Sequence, residues 1–153
     1  MSREFTDLYR IAANAAESLM AAASDAGVTL KVEGESAVMY GVPQVLYSII
    51  YNLCSNAIHY SNRSGNVLVT VHDFHDRAEL IVADNGIGIP AEDLDRIFER
   101  FYRVDKSRSK EVGGTGLGLS IVKHAAMVHG AQVSVTSELG KGSVFTVSFP
   151  KQA

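Results

Sequence analysis

Residues 43–60 read Pro43-Gln44-Val45-Leu46-Tyr47-Ser48-Ile49-Ile50-Tyr51-Asn52-Leu53-Cys54-Ser55-Asn56-Ala57-Ile58-His59-Tyr60. A single helix drawn through them sorts the side chains into two stripes. Val45, Leu46, Ile49, Ile50, Leu53 and Ala57 recur at the spacing of an apolar helix face. Ser48, Asn52, Asn56 and His59 fall at i, i+4, i+8 and i+11, a second stripe on the opposite side. Proline is tolerated in a first turn, so the helix is predicted to begin near Pro43. Asparagine is a poor interior helix residue because its amide competes for backbone partners. Two of them a turn apart point to a use beyond helix stability, against the plainer reading of a solvated face. A side-chain amide oxygen is a hard ligand of the kind Mg²⁺ accepts when phosphates and waters complete its shell.

Working outward, the apolar positions Leu8, Ile11, Ala12, Ala15, Leu19, Ala22 and Ala23 predict a first helix from Phe5 to about Ala26, stopped by Gly27. Extended pieces are expected at Val28–Val32 and Ser36–Tyr40. Beyond the second helix, Asn62–Gly65 is turn chemistry. Val67–Phe74 and Ala78–Ala83 then read as paired strands around a His-Asp-Arg turn. Ala91–Glu99 reads as a short helix, and the polar, Gly-rich Val104–Thr115 as a mobile loop. A third long helix is predicted from about Gly116 to Val128, burying Leu117, Ile121, Val122, Ala125 and Val128, with Gly130 as its stop. A hairpin closes the chain, Gln132–Ser137 with Ser143–Phe149, turned by Leu139–Gly142. Three helices and about five strands in no strict alternation predict an α+β fold. It is a two-layer sandwich, a mixed, mostly antiparallel sheet with the helices on one face.

The 153 residues suit one domain with one core, and residues 1–153 are read as such. With 46% apolar and 20% charged residues the composition is globular rather than disordered. A net charge of −3 gives no sign of a nucleic-acid partner. The single cysteine, Cys54, excludes an intrachain disulfide, suits a reducing compartment and is expected to be a buried structural thiol. No apolar run approaches the roughly 20 residues of a membrane span, and no signal-peptide pattern stands at the start. The expectation is a cytoplasmic, soluble domain without direct membrane contact.

Two glycine loops accompany the asparagine helix. Asp84-Asn85-Gly86-Ile87-Gly88-Ile89-Pro90 follows an apolar strand. A carboxylate at a strand end can accept from an exocyclic amine such as adenine's, and glycines let the backbone approach a flat ring. A simple strand-to-helix turn explains Asp, Asn and Gly, but not the interleaved Ile87 and Ile89. The second loop, Gly113-Gly114-Thr115-Gly116-Leu117-Gly118-Leu119-Ser120, opens the third helix, where backbone N–H groups and the helix dipole favour phosphate. A dinucleotide fingerprint would need glycine where Leu119 stands, and Gly140-Lys141-Gly142 lacks the Walker A order. Between the loops, Arg100, Arg103, Lys106, Arg108 and Lys110 form a basic cluster that the net charge conceals. Facing a triphosphate, it would neutralise developing charge; the plainer reading is a solvated loop.

With these pieces in order, the sequence resembles the catalytic domain of sensor histidine kinases, within the wider gyrase, Hsp90 and MutL-like (GHKL) ATPase superfamily and its Bergerat ATP-binding fold. Asn52-Leu53-Cys54-Ser55-Asn56-Ala57 resembles the family's N box and Asp84–Gly88 its G1 box. Phe98–Arg103 resembles the F box, Gly114–Gly118 the G2 box, and Gly140–Ser143 the trailing glycine turn. The resemblance runs from Phe5 to Phe149. It implies ATP and Mg²⁺ as cofactors, with Asn56 on the metal and Asn52 helping to hold metal or phosphates. Tyr60 would border the adenine, and Asp84 would accept from its amino group within the loop that includes Gly86, Gly88 and Ile89. Arg103 and Arg108 would reach the outer phosphates, and Gly114, Thr115, Gly116, Leu117 and Gly118 would cradle them. Asn52, Asn56 and Arg103 would form the catalytic set. His59 stands where the family often has Lys or Arg, which makes a phosphate contact there weaker or pH-dependent.

The hydrolytic relatives carry a glutamate where this chain has Asn52, and an amide cannot activate water. That favours phosphoryl transfer, in which positioning and electrostatics dominate. None of the five histidines makes a good phosphoacceptor. His72-Asp73 and His75-Asp76 sit at an expected hairpin turn, without further ligands for a metal pair; His124 and His129 lack an acidic neighbour. The resemblance therefore implies a fragment of a longer kinase, membrane-anchored by family habit. Its partners would be a dimerisation and phosphoacceptor domain of the same kinase and, indirectly, a response regulator. A GHKL ATPase, an anti-sigma serine kinase and a nucleotide-binding pseudokinase scaffold are the alternatives. Asn52 weighs against the first, the Phe-Tyr-Arg segment against the second, and intact Asn56, Asp84 and glycines against the third.

Overall fold

A computed structural model describes residues 2–100, 102 and 118–151. The chain runs β1 (Glu4–Asp7), α1 (Leu8–Ala26), β2 (Thr29–Gly34), β3 (Val38–Gly41), α2 (Pro43–His59), β4 (Asn66–Asp73) and β5 (Arg77–Asp84). A single 3-10 turn (Ala91–Asp93), α3 (Gly118–Val128), β6 (Gln132–Glu138) and β7 (Gly142–Pro150) follow. Five strands form one sheet in the order β2-β4-β5-β7-β6. Among the described residues only the β2–β4 pair of this sheet is parallel; β4–β5, β5–β7 and β6–β7 are antiparallel. This is the expected α+β sandwich. β1 and β3 make a separate two-stranded ribbon.

The sheet's alternation decides which side takes the helices. Val67, Val69 and Val71 of β4, Ala78, Leu80 and Val82 of β5, and Phe145, Val147 and Phe149 of β7 are all buried on one face. Against them lie Leu8, Ile11, Ala12, Ala15 and Leu19 of α1, Leu46, Ile49, Ile50 and Leu53 of α2, and Val122, Ala125 and Ala126 of α3. Each fully buried Leu, Ile or Phe here contributes about 1.5–3 kcal/mol of transfer free energy. Cys54 is buried in the same core, as expected, and burial pushes its thiol up to about 12.

Three expectations are corrected. Phe5 does not open the first helix: it lies in β1, and the helix starts at Leu8 because Asp7 caps it, its Oδ1 accepting from Tyr9 N–H at 3.0 Å. The same carboxylate accepts from the Ala37 N–H at 3.0 Å and the Ser36 hydroxyl at 2.7 Å, so the cap also fixes the approach to β3. Within Ala91–Glu99 only Ala91–Asp93 is helical, as one 3-10 turn. On α3, Ile121 and Val128 are exposed by 43% and 46%, and Ala126 is buried instead. Leu117 lies outside the described residues.

Candidate functional site

Ser48, Asn52, Asn56 and His59 are each half-buried along α2, so the stripe is not a solvated face. The Asn52 amide nitrogen donates to the Ser48 carbonyl at 2.7 Å, and lies 3.3 Å from the Ser48 hydroxyl. That back-bonding is the local competition expected of a mid-helix asparagine. It turns Oδ1 the other way, toward Gly118, where an added Cβ would lie 3.3 Å from it. The first residue of α3 thus meets the first asparagine of the stripe. Tyr60 closes α2, its ring centroid 5.7 Å from that of His59.

The loop after β5 is built on Tyr60. Its carbonyl accepts from the Ile87 N–H at 3.1 Å. A Cβ on Gly86 would come within 2.2 Å of the same oxygen, so only glycine fits. Asp84, the last residue of β5, accepts from the Gly86 N–H at 2.9 Å. Burial raises its pKa from the ordinary aspartate value, while backbone N–H groups of Gly86 and Ser143 oppose the shift. A half-buried acceptor at a strand end is suited to a neutral donor such as an aromatic amine.

The β6–β7 turn grips this loop from the other side. Gly88 has φ +77° and its Cβ would lie 2.2 Å from the Glu138 carbonyl oxygen. Gly142, with φ +121°, faces the Asp84 carbonyl in the same way at 2.0 Å. The Gly140 N–H donates to Ile87 O at 2.9 Å, and the Ile89 N–H to Ser137 Oγ at 2.7 Å. Ile89 therefore has its N–H engaged, and its partly buried side chain packs against the core. Asn85 fastens the loop to β4, its Oδ1 accepting from the Asn66 N–H at 2.8 Å.

The described candidate residues Asn52, Asn56, His59, Tyr60, Asp84, Gly86, Gly88, Ile89 and Gly118 thus belong to α2 and its C-cap, the end of β5 with the loop that follows it, and the start of α3. Arg103, Arg108, Gly114, Thr115, Gly116 and Leu117 lie outside the described residues. Sequence reading had no role for Asn85, Ser137 or Asn66. Asn85 carries a faint signal as a turn-forming Asn, whereas Ser137 meets a partner 48 residues away. Among the described residues no group of three or more His, Cys, Asp or Glu gathers. The donors α2 offers a cation are amide oxygens, with Asn52 Oδ1 already oriented by Ser48. Such a set fits a hard ion that brings phosphates and waters with it, as Mg²⁺ does.

Residues 41–153 match the model of the histidine kinase-, DNA gyrase B-, and HSP90-like ATPase family. The chain belongs to this family. Its relatives place it among the catalytic ATPase domains of sensor histidine kinases. It is 39% identical to the sensor-like histidine kinase SenX3 of Mycolicibacterium smegmatis over 95% of its length. It is 41% identical to the phosphate regulon sensor protein PhoR of Pseudomonas aeruginosa over 82%. The chain spans 38% of the length of SenX3 and 27% of that of PhoR. The structure of the mycobacterial sensor histidine kinase MprB superposes with TM-score 0.84 at 27% identity, covering 97% of both chains. Full-length ShkA, determined in complex with AMPPNP, matches all of this chain and 32% of its own, with TM-score 0.85 at 27% identity. Among the described residues of this chain, no helix is long and apolar enough to cross a membrane.

Proposed function

We propose that the chain binds Mg-ATP and donates the γ-phosphate to a histidine on a separate dimerisation domain of the same kinase. The observation that carries this is the junction at α2, where Gly118 abuts Asn52 and the Asp84 loop packs on Tyr60. Asp84 would accept from the adenine amino group, and Tyr60 and Ile89 would flank the ring. Asn56, assisted by Asn52, would hold Mg²⁺, which when bound supplies charge neutralisation for the phosphates. His59, on the same stripe, would lie toward the phosphates. The loop of Gly114, Thr115, Gly116, Leu117 and Gly118 would cradle them, with Arg103 and Arg108 on the outer oxygens. The AMPPNP in the ShkA structure supports a nucleotide as the ligand.

Transfer is favoured over hydrolysis because the α2 stripe carries no carboxylate, and the Asn52 amide nitrogen is tied to Ser48. A phosphoryl group poised without an activated water waits for a better nucleophile. His129 cannot be that nucleophile, since it is buried with both ring nitrogens engaged. The acceptor, and through it a response regulator, would belong to the parent kinase, whose membrane anchorage is part of this proposal.

The test is to mix the domain with γ-labelled ATP, Mg²⁺ and a dimerisation domain from the same parent. Acid-labile, base-stable label on the acceptor is expected. ATP binding with no label on a matched acceptor would instead favour a scaffold, and release of inorganic phosphate alone would favour a hydrolase. Asn56→Ala is expected to abolish Mg²⁺-dependent ATP binding in calorimetry; unchanged affinity would remove Asn56 from the metal.

A further inference from the structure

Ser137 lies on β6 directly across from Ser143 of β7. Its hydroxyl stands at a junction of three groups: Ile89 N–H at 2.7 Å, Gly142 carbonyl oxygen at 3.0 Å and Ser143 Oγ at 2.8 Å. A hydroxyl has one proton and two lone pairs. The amide can only donate and the carbonyl can only accept. Ser137 therefore accepts from Ile89 and donates to Gly142, and its remaining lone pair takes the Ser143 proton. All three contacts are satisfied in this one arrangement.

We infer that Ser137 is a positioning residue for the adenine end of the site, fixing the far end of the Asp84–Ile89 loop without touching the nucleotide. The inference rests on the reading of that loop as the adenine-binding one. The near end is held by Gly86 N–H on Asp84 and Ile87 N–H on Tyr60. The middle is held by Gly140 N–H on Ile87 O. Beyond Gly88, Ser137 is the group that accepts the Ile89 N–H, and its partner Ser143 sends a backbone N–H to Asp84. One hydroxyl thus ties the wall of the ring pocket to the turn that orients its carboxylate. Without it, a partly buried Ile89 N–H has no acceptor and the Ser143 proton is free to turn elsewhere.

The hydroxyl can be isolated with a matched pair, Ser137→Thr and Ser137→Val, which share a shape and suit a strand. Calorimetric titration with Mg-ATP should find the Thr variant within about twofold of the unaltered domain and the Val variant weaker by about tenfold, the scale of one lost hydrogen bond. Their thermal unfolding should stay cooperative. Equal ATP affinity for Thr and Val would overturn the inference. Asp84→Asn, titrated alongside, separates the two levels: if it leaves ATP affinity unchanged, the adenine-loop reading itself fails. If Asp84→Asn weakens binding and Ser137→Val does not, only the role of Ser137 fails. Should the Val variant not fold, amide exchange of Ile89 in the unaltered domain decides. Slow exchange is expected, and exchange at the rate of an open loop would overturn the assignment.

Discussion

At the scale of single residues, the adenine contact proposed for Asp84 would set function against stability. Burial raises its carboxyl pKa above 3.8 in the folded state. In the acid range between the unfolded and folded values, the folded state holds the extra proton, so stability falls as pH rises through that window. Above it the whole cost of burying the charge is present. Asp84→Asn keeps an acceptor for the Gly86 and Ser143 N–H groups and carries no charge. The nucleotide-free variant is therefore expected to unfold at a higher temperature than the unaltered domain at pH 7, with the difference shrinking as pH drops toward 4. ATP affinity should fall about tenfold or more, because the charged acceptor is gone. A lower unfolding temperature at pH 7 would show that the carboxylate is a structural anchor first. Such candidates stand out in the sequence because their type announces a chemistry: Asp at a strand end, Asn inside a helix. Ser137, Asn85 and His129 do not, because each acts through a partner 19 to 87 residues away in the chain.

At the scale of elements, periodicity located every described helix and strand of the main sheet to within a few residues. It failed where a tertiary contact overrode it. Phe5 fits the helical spacing of Leu8 and Ile11, yet pairing with Tyr40 and the Asp7 cap draw it into the ribbon. Ile121 and Val128 fit the apolar repeat of α3, but the short helix turns Val122, Ala125 and Ala126 to the core. The Asp84–Pro90 loop was legible as a loop, while the reasons for Gly86 and Gly88 lay in the carbonyls of Tyr60 and Glu138 that face them. Gly88 and Gly140 make that difference measurable, for both have positive φ, +77° and +81°. A Cβ at Gly140 meets nothing within 4 Å, so Gly140→Ala should cost only the backbone strain, about 1–2 kcal/mol. A Cβ at Gly88 strikes the Glu138 carbonyl, so Gly88→Ala must also push the loop off the β6–β7 turn. Urea unfolding should rank Gly88→Ala clearly below Gly140→Ala, with ATP affinity lost in the first and nearly kept in the second. Equal costs for both would mean that the turn does not brace the loop.

At the scale of the whole molecule, the proposed site would depend on how α3 is set against α2, and α3 is fastened to α2 at both of its ends. At the N-terminal end of α3, Gly118 rests on Asn52. At the C-terminal end the fastening is His129, which is 8% exposed. Its Nδ1 donates to the Ala125 carbonyl at 3.1 Å, and its Nε2 accepts from the Val42 N–H, at the cap of α2, at 3.0 Å. The ring stands edge-on to Phe149 of β7, with centroids 6.2 Å apart, and a Cβ on Gly41 would meet it at 3.0 Å. One imidazole therefore joins the end of α3, the start of α2 and the sheet. The Arg3 guanidinium, on the Val128 carbonyl at 2.6 Å, adds an exposed contact at the same end. His129→Ala removes the acceptor of a buried N–H and leaves a cavity beside Phe149, and should cost about 2–4 kcal/mol. Arg3→Ala should cost under about 1 kcal/mol, since its contact is open to solvent. Urea titration with an unchanged m-value would check both in a two-state unfolding. Because α3 carries Gly118 at its other end, His129→Ala should also weaken ATP binding far from the nucleotide, whereas Arg3→Ala should not. If His129→Ala lowers stability by the expected amount and leaves ATP affinity untouched, the two ends of α3 are independent, and its seat against Asn52 is fixed by the packing of Val122, Ala125 and Ala126 alone.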